Sequence, residues 1–518
     1  MNIGKTLLIV LSLMCAEHLM AGIKIEAENA KCSNCSVVSD SKYSGKKALR
    51  VTEENAKISF TFNAKEKAKY TVTVGGAGIG GAKNVNCSVN GSKCSFWLNE
   101  YGEVEVGSFF MDEGDNTVEI TPSWTWYDID YVMFEKSVNS VDFDIAAVPV
   151  DADATDAAKA MYRFLLDNFG KKTISGIMTG DMSSANGNVT QHADIKAVYN
   201  ASGKYPALVG FDFSNATGKS EANSYNRSYI RASIDLAKDT YKRGGLPAFT
   251  WHWRDPSRGS DAFYTSDTNM KISSAMNSDG SWNTSSVLYK NIMKDIDVVA
   301  DFFLEMQKAG VACIFRPLHE ASGGWFWWGR EGAKPFCKLY QLMYDEMVRV
   351  KGVHNVIWVW NAAPEDKDWN PGDDLYDVVS ADIYNDSFDY SSNYAYFEKL
   401  KVLTGGKKIV ALSENGPIPD IEKEVEEDAV WSWWMPWYQT WNGNFVNKTS
   451  KEEWKKCMGD SRVITLEDMA GVWDSYVSVP KIEAENSSVR IVFDLSGRRL
   501  NSVPERGVYI VNGKKYAK

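Results

Sequence analysis

Two glutamates stand where an acid can do chemistry. The apolar run Val311-Ala-Cys-Ile-Phe315 leads into Arg316, His319 and Glu320, then Gly323-Gly324 and Trp325-Phe-Trp-Trp328. A second run, Lys408-Ile-Val-Ala-Leu-Ser413, leads into Glu414 and then Asn415-Gly416. An acid at a strand end beside aromatic rings suits sugar chemistry, because the acid moves a proton and flat apolar rings stack on pyranose faces. Glycoside hydrolysis needs two carboxyl groups flanking the scissile bond, about 5–5.5 Å apart in a retaining enzyme and roughly 6.5–9.5 Å apart in an inverting one. That gap is a tertiary quantity. The proton donor needs a raised pKa, which an apolar surround such as Trp325 and Phe326 and a second carboxylate supply. The nucleophile must stay ionised, and Arg316 and Tyr384 are candidate donors to it. His252 and His319 can donate to sugar hydroxyls.

These residues need a scaffold, and the spacing predicts one. Apolar runs read as strands at 173–179, 206–213, 246–253, 311–320, 355–361, 378–384, 408–414 and 429–437. Helical stretches at 227–242, 285–308, 335–351 and 393–403 stop at Gly244, Gly310, Gly352 and Gly405. Continuous apolar strands separated by helices imply a parallel sheet covered on both faces, and eight such units imply a (β/α)8 TIM barrel. Functional residues of that fold sit at the C-terminal strand ends. The runs end in Asp212, His252, Glu320, Asp382 with Tyr384, Glu414 and Trp434.

Before the barrel, short alternating strands such as Ile58-Ser-Phe-Thr-Phe62 and Tyr70-Thr-Val-Thr-Val74 predict an all-β sandwich of jelly-roll type. The chain thus reads as multidomain: signal peptide 1–21, β-sandwich 23–136, linker 137–152, catalytic barrel 153–478 and a β-rich C-terminal tail 487–518. The leader has Lys5 before an apolar run from Thr6 to Met14 and small residues at Ala16 and Ala21, which predicts export. Met14 does not suit the small residue that a lipoprotein signal needs before Cys15. No later apolar run reaches the roughly 18 residues of a membrane helix. Lys481-Ile-Glu-Ala-Glu-Asn486 repeats Lys24 to Asn29 word for word.

Composition narrows the partners. The net charge of −11 disfavours nucleic acid and anionic membranes. Aromatics make up 13% of the chain, with 19 Trp, more than a core needs. Cys32/Cys35 and Cys87/Cys94 are close pairs, each suited to a local disulfide or, without histidine support, to zinc. Cys313 reads as buried. His192 and His354 read as structural, Asp420, Glu422 and Glu424 as a solvated helix face, and the loop 255–284 as a cleft wall. Trp124 and Trp126 read either as sugar-stacking rings or as sandwich core.

The barrel motifs resemble glycoside hydrolase family 26, composed chiefly of endo-β-mannanases. The resemblance rests on Arg316-Pro-Leu-His-Glu320 with Trp325-Phe-Trp-Trp-Gly329, Pro206-Ala-Leu-Val-Gly-Phe-Asp212, Thr250-Trp-His-Trp253, Ala381-Asp-Ile-Tyr384 and Ser413-Glu-Asn-Gly416. It spans roughly residues 155–475. It implies a retaining endo-β-1,4-mannanase with Glu320 as acid/base and Glu414 as nucleophile. It also implies a sugar subsite of His252, His319, Trp325, Asp382, Tyr384 and Trp434, with Arg316 beside it and no cofactor for catalysis. The sandwich resembles carbohydrate-binding module family 35 on Glu26-Ala-Glu28, Ser44-Gly45 and Trp124-Thr-Trp-Tyr-Asp-Ile-Asp-Tyr131. That resemblance implies a structural calcium ion on Glu26, Glu28 and Asp130, hard oxygen ligands, and sugar-binding loops near Trp124 and Trp126. The tail resembles sorting segments of secreted bacterial polysaccharide-degrading enzymes. The expectation is therefore a bacterial protein, secreted or at the cell surface, monomeric and not membrane-spanning, acting on β-mannan. The alternatives are a mixed-linkage β-glucanase or β-1,3-xylanase of the same family, or a non-catalytic polysaccharide-binding protein.

Overall fold

The computed structural model describes residues 22–137, 141–182, 185–438 and 445–477, and four short tail strands. The signal-peptide reading (1–21) and the repeated hexapeptide at 481–486 lie outside the described residues.

The front of the chain is a two-sheet sandwich. One sheet runs Cys35–Ser39, Lys47–Val51, Tyr127–Lys136, Ala68–Gly78 and Gly102–Met111, with Ile23–Glu26 added on Tyr127–Lys136. The other runs Lys31–Ser33, Lys57–Ala64, Gly114–Pro122, Lys83–Val89 and Ser92–Leu98. Alternation decides which side is buried. In Lys57–Ala64 the side chains of Ile58, Phe60, Phe62 and Ala64 face the core while their neighbours face outward. The central strand Tyr127–Lys136 breaks its own alternation. Its register slips between Ile129 and Tyr131, so Asp130 is an extra, bulged residue. Tyr127 and Ile129 face the core before the bulge, Val132 and Phe134 after it.

Eight parallel strands then close a barrel: β1 (Thr173–Met178), β2 (Leu208–Asp212), β3 (Leu246–Thr250), β4 (Cys313–Arg316), β5 (Val356–Asn361), β6 (Val378–Ile383), β7 (Ile409–Asn415) and β8 (Trp433–Pro436). They pair in that order, and β1 pairs with both β2 and β8. The helices are α1 (Asp156–Asn168), α2 (Ala193–Ser202), α3 (Ser224–Lys242), α4 (Val287–Lys308), α5 (Ala333–Tyr344), α6 (Tyr394–Leu403), α7 (Ile421–Glu426) and α8 (Lys451–Gly459). Thr155, Asn223, Ser286 and Ser450 cap four helix starts by accepting a backbone N–H. The helix foreseen at 335–351 begins two residues earlier and changes to a π turn over Asp345–Val350. Glycines end α3 and α4 as foreseen, Gly244 at φ +93° and Gly310 at φ +71°.

The sandwich and barrel share packing. Ala395 of α6 lies in the sandwich core, and Phe110 meets Tyr394 edge-on at 5.4 Å. Lys93 reaches Asp386 at 2.7 Å. The tail, Gly471–Lys518, forms a separate unit whose described strands make a small antiparallel sheet. No helix among the described residues is long and apolar enough to cross a membrane.

One acidic helix face is not solvated as expected. Glu424 is fully buried and accepts a hydrogen bond from Thr173 at 2.5 Å. Burial pushes its carboxyl well above the usual range. Helix α7 is only six residues long and turns this position under the foot of β1 rather than toward water.

Candidate active site

The C-terminal mouth of the barrel gathers charge on a small number of atoms. Strand β4 alternates, so Cys313 and Phe315 face the helices while Ile314 and Arg316 face inward. Arg316 is buried and donates to Asp382 at 2.7 Å and to Glu414. Strand β7 needs a bulge to join them. Val410 and Leu412 face the helix layer, and simple alternation would send Glu414 the same way. The β6–β7 register slips instead, pairing Ala381 with Leu412 but Asp382 with Glu414. The extra residue, Ser413, turns Glu414 into the barrel. There Tyr384 donates to its second oxygen at 2.5 Å.

Glu320 arrives by a different route. The strand foreseen to 320 ends at Arg316, and the chain leaves it through Leu318 and Glu320, both at φ +52°. A non-glycine residue in the left-handed region costs about 1–3 kcal/mol and persists where its surroundings hold it. Asn361, last residue of β5, accepts the Glu320 backbone N–H at 2.7 Å and donates to Asp382 at 2.9 Å. Trp325 donates its indole N–H to Glu320 Oε2 at 2.8 Å. One carboxylate oxygen each from Glu320, Asp382 and Glu414 lie within 4.8 Å of one another.

Arg316 bridges two of these carboxylates, Asp382 and Glu414. Burial first, then the nearby Glu414 charge, raises Glu320 to about 7, against the opposing pull of Trp325, Arg316 and His252. Glu414 accepts from two donors, Arg316 and Tyr384. Burial also raises the Asp382 carboxyl well above the usual range, against the pull of Arg316.

The histidines divide similarly. His252 Nδ1 meets Asp212 at 2.6 Å, and its backbone N–H also donates to Asp212, at 3.1 Å. Burial opposes its protonation, but Asp212 outweighs that cost and raises its pKa. His319 is buried beside it, ring centroids 4.6 Å apart, with Nδ1 3.2 Å from the Thr250 hydroxyl. Burial, Arg316 and His252 hold it well below the usual histidine range. His192 is buried and caps α2, and His354 is tied to Asp151 at 2.8 Å, so both are structural.

The aromatic run after Glu320 separates by exposure. Trp325 is 47% exposed, whereas Phe326, Trp327 and Trp328 are buried. The loop 255–284 forms a wall as foreseen: Thr265 N–H donates to the Trp325 carbonyl at 2.7 Å, and Phe263 packs 5.0 Å from the His252 ring. Trp434 requires correction. It is 1% exposed and packs on Trp454 of α8, because it lies on the helix-facing side of β8. The aromatic of this segment that reaches the mouth is Trp437, edge-on to His252 at 5.8 Å. The four tryptophans of the run 429–437 (Trp431, Trp433, Trp434 and Trp437) gave no signal for choosing among them. Asn361 was missed, although it ends the fifth apolar run in the same register as the other strand-end polar groups.

The sandwich carries its own polar cluster. Ser44 donates its hydroxyl to Glu26 at 2.7 Å and its N–H to Asp130 at 2.9 Å, and Tyr101 donates to Asp130 at 2.6 Å. Glu26 Oε2, Glu28 Oε2 and Asp130 Oδ1 are buried with no hydrogen-bond partner. Buried carboxylate oxygens without a partner are hard donors of the kind a calcium ion takes. Trp124 and Trp126 are 52% and 54% exposed, which removes the core reading for both. Trp97, also exposed, stands edge-on to Trp124 at 5.2 Å and had not been singled out. Cys87 and Cys94 face each other across paired strands.

The glycosyl hydrolase family 26 model matches residues 150–468. The chain belongs to glycosyl hydrolase family 26. Its relatives include a mannan endo-1,4-beta-mannosidase of Thermothelomyces thermophilus, 31% identical over 479 residues, 89% of this chain and 93% of that protein. Among solved structures, a family 26 β-(1,4)-mannanase of Podospora anserina, joined to a family 35 carbohydrate-binding module, is similar at 27% identity. The match has a TM-score of 0.57 and covers 88% of this chain and 99% of that one, so it takes in both sandwich and barrel. A β-mannanase from a symbiotic protist of the termite Reticulitermes speratus, solved with gluco-manno-oligosaccharide, matches at 39% identity with a TM-score of 0.58. That match covers 64% of this chain and 99% of the protist chain. The family 26 barrel accords with the resemblance read from the motifs.

Proposed function

We propose that this family 26 protein is a retaining endo-β-1,4-mannosidase that cleaves internal bonds of mannan, galactomannan or glucomannan. The observation that carries the reading is the Glu320–Glu414 pair, its oxygens within 4.8 Å at the barrel mouth. A gap that short leaves no room for a water between a general base and the sugar, and it suits direct attack by a carboxylate. In the first step Glu414 attacks the anomeric carbon, the glycosidic bond breaks, and the departing oxygen takes the proton of Glu320. In the second, water attacks the glycosyl–Glu414 ester, gives a proton to Glu320 and frees Glu414. His252, held by Asp212, and His319 donate to or accept from sugar hydroxyls, and Trp325 offers its exposed face for stacking. The relatives' mannan activity supports the choice of polymer.

The sandwich reads as a carbohydrate-binding module, with Trp124 and Trp126 as its contact rings and a calcium ion on Glu26, Glu28 and Asp130 as a structural brace. A secreted or cell-surface location follows from a polymeric substrate. The test is reducing-sugar release across mannan, galactomannan, glucomannan, lichenan and β-1,3-xylan, with NMR of the first-formed anomer. Release from the mannans with β configuration kept is expected. No release from any mannan, or an inverted product, overturns the reading.

A further inference from the structure

The catalytic mouth does not end at the barrel rim. An open cavity of about 320 Å3 is lined by Asp382 and Tyr384 on the barrel side and by Asn86, Lys93 and Ser95 on the sandwich side. A second cavity of about 560 Å3 continues from it and shares Ser95 and Tyr396. It runs along the seam between Ser92–Leu98 of the sandwich and α6 of the barrel as far as Trp97. Both volumes fall in the range of ligand sites.

We infer that this seam is an extended glycan subsite in which a polysaccharide strand leaving the reaction centre is held jointly by barrel and sandwich. The inference rests on the proposed glycosidase reading, and it assigns the sandwich a second role, distinct from capture at Trp124 and Trp126. Three observations carry it. The seam is continuous with the reacting groups, since Tyr384 lines it and bonds to Glu414. Its lining mixes amides and hydroxyls (Asn86, Ser95, Asn385) and charged groups (Lys93, Glu103, Glu105, Lys399) with aromatic rings (Tyr384, Tyr396, Trp97), and polar groups beside rings can pair with sugar hydroxyls and cover sugar faces. The two walls are also held in place. Ala395 is buried in the sandwich core, and Lys93 bridges to Asp386 at 2.7 Å and Asp389 at 3.3 Å. A ligand therefore meets a formed groove, with little ordering cost. The net charge of −11 favours a neutral glycan over an acidic one.

The experiment is a chain-length series. The single variant Asn86→Ala and the double variant Asn86→Ala/Ser95→Ala change exposed sandwich side chains apart from the Trp97–Trp124 pair and leave the catalytic groups untouched. Both are compared with wild type in kcat/KM on mannan and on manno-oligosaccharides from the shortest hydrolysed upward, with melting temperatures checked for equal folding. The expected result is a loss of about tenfold or more on polymer and the longest oligosaccharides, and less than about twofold on the shortest. Loss that is equal at all lengths, or no loss, overturns the seam while leaving the glycosidase reading intact. If wild type cleaves another polymer of the panel and no mannan, the substrate assignment falls, and the same series on that polymer's oligosaccharides decides the seam. A wild-type enzyme inactive on every polymer removes both.

Discussion

Trp325 donates its indole N–H to Glu320 Oε2 at 2.8 Å, and it does so against the burial that holds a proton on the same carboxyl. The bond favours the charged form. Glu320, raised to about 7, must be protonated for the first step, so activity should fall as pH rises through about 7. Trp325→Phe keeps a ring for stacking but removes the donor. Its pKa effect is upward, so the alkaline limb of kcat should move to higher pH, by under about one unit for a bond of about 1 kcal/mol. A limb that stays fixed or moves down contradicts this.

Arg316 bridges Asp382 and Glu414. Arg316→Ala leaves two buried carboxylates without their cation, which should destabilise the fold by about 3–5 kcal/mol and abolish turnover. Denaturant unfolding measures the first and reducing-sugar release the second. Arg316→Lys should be milder in stability yet remain poorly active, because one ammonium cannot bridge both groups in the same geometry.

Asn361 should matter for rate more than for binding. Asn361→Ala frees the Glu320 backbone N–H and one Asp382 oxygen, so the acid loses its fixed aim. A fall in kcat of roughly 10–100-fold with KM changed little is expected from a misplaced proton donor. A change confined to KM would assign Asn361 to sugar contact instead.

Glu424 tests a raised carboxyl away from the site. A folded-state pKa above the unfolded one means the folded chain holds more protons, so stability is full below the unfolded pKa and is lost as pH rises toward the folded one. Glu424→Gln removes that titration while keeping an acceptor for Thr173. Its melting temperature should exceed wild type at pH 8, and the gap should close near pH 4.

The orphaned oxygens of Glu26, Glu28 and Asp130 predict that added calcium raises the unfolding temperature and that chelation lowers it. At a free concentration of 100 times Kd the gain is about 2.7 kcal/mol. Glu28→Gln should blunt the response. An unfolding temperature indifferent to calcium and chelator would leave the cluster without a metal role.

Much of this protein is legible in its residue order. Strand and helix periodicity in the barrel half is local, set by which side chains can share a buried face, and so eight apolar runs and their glycine stops foretold the (β/α)8 closure. The polar residues ending those runs marked Glu320, Glu414, Asp382 and His252 because a barrel collects strand ends at one mouth. What periodicity could not supply was orientation where the period breaks. Glu414 faces inward only because Ser413 is bulged, and Asp130 is buried among acids only because it is itself the bulge. Trp434 and Trp437 likewise differ in which face of the chain they occupy, and that depends on register with β7 and packing on α8. The same holds for Glu424, acidic in sequence and buried in the fold. The two glutamates were named by their types and neighbours; their oxygens come within 4.8 Å of each other only because strand β7 and a left-handed turn after β4 meet across the barrel.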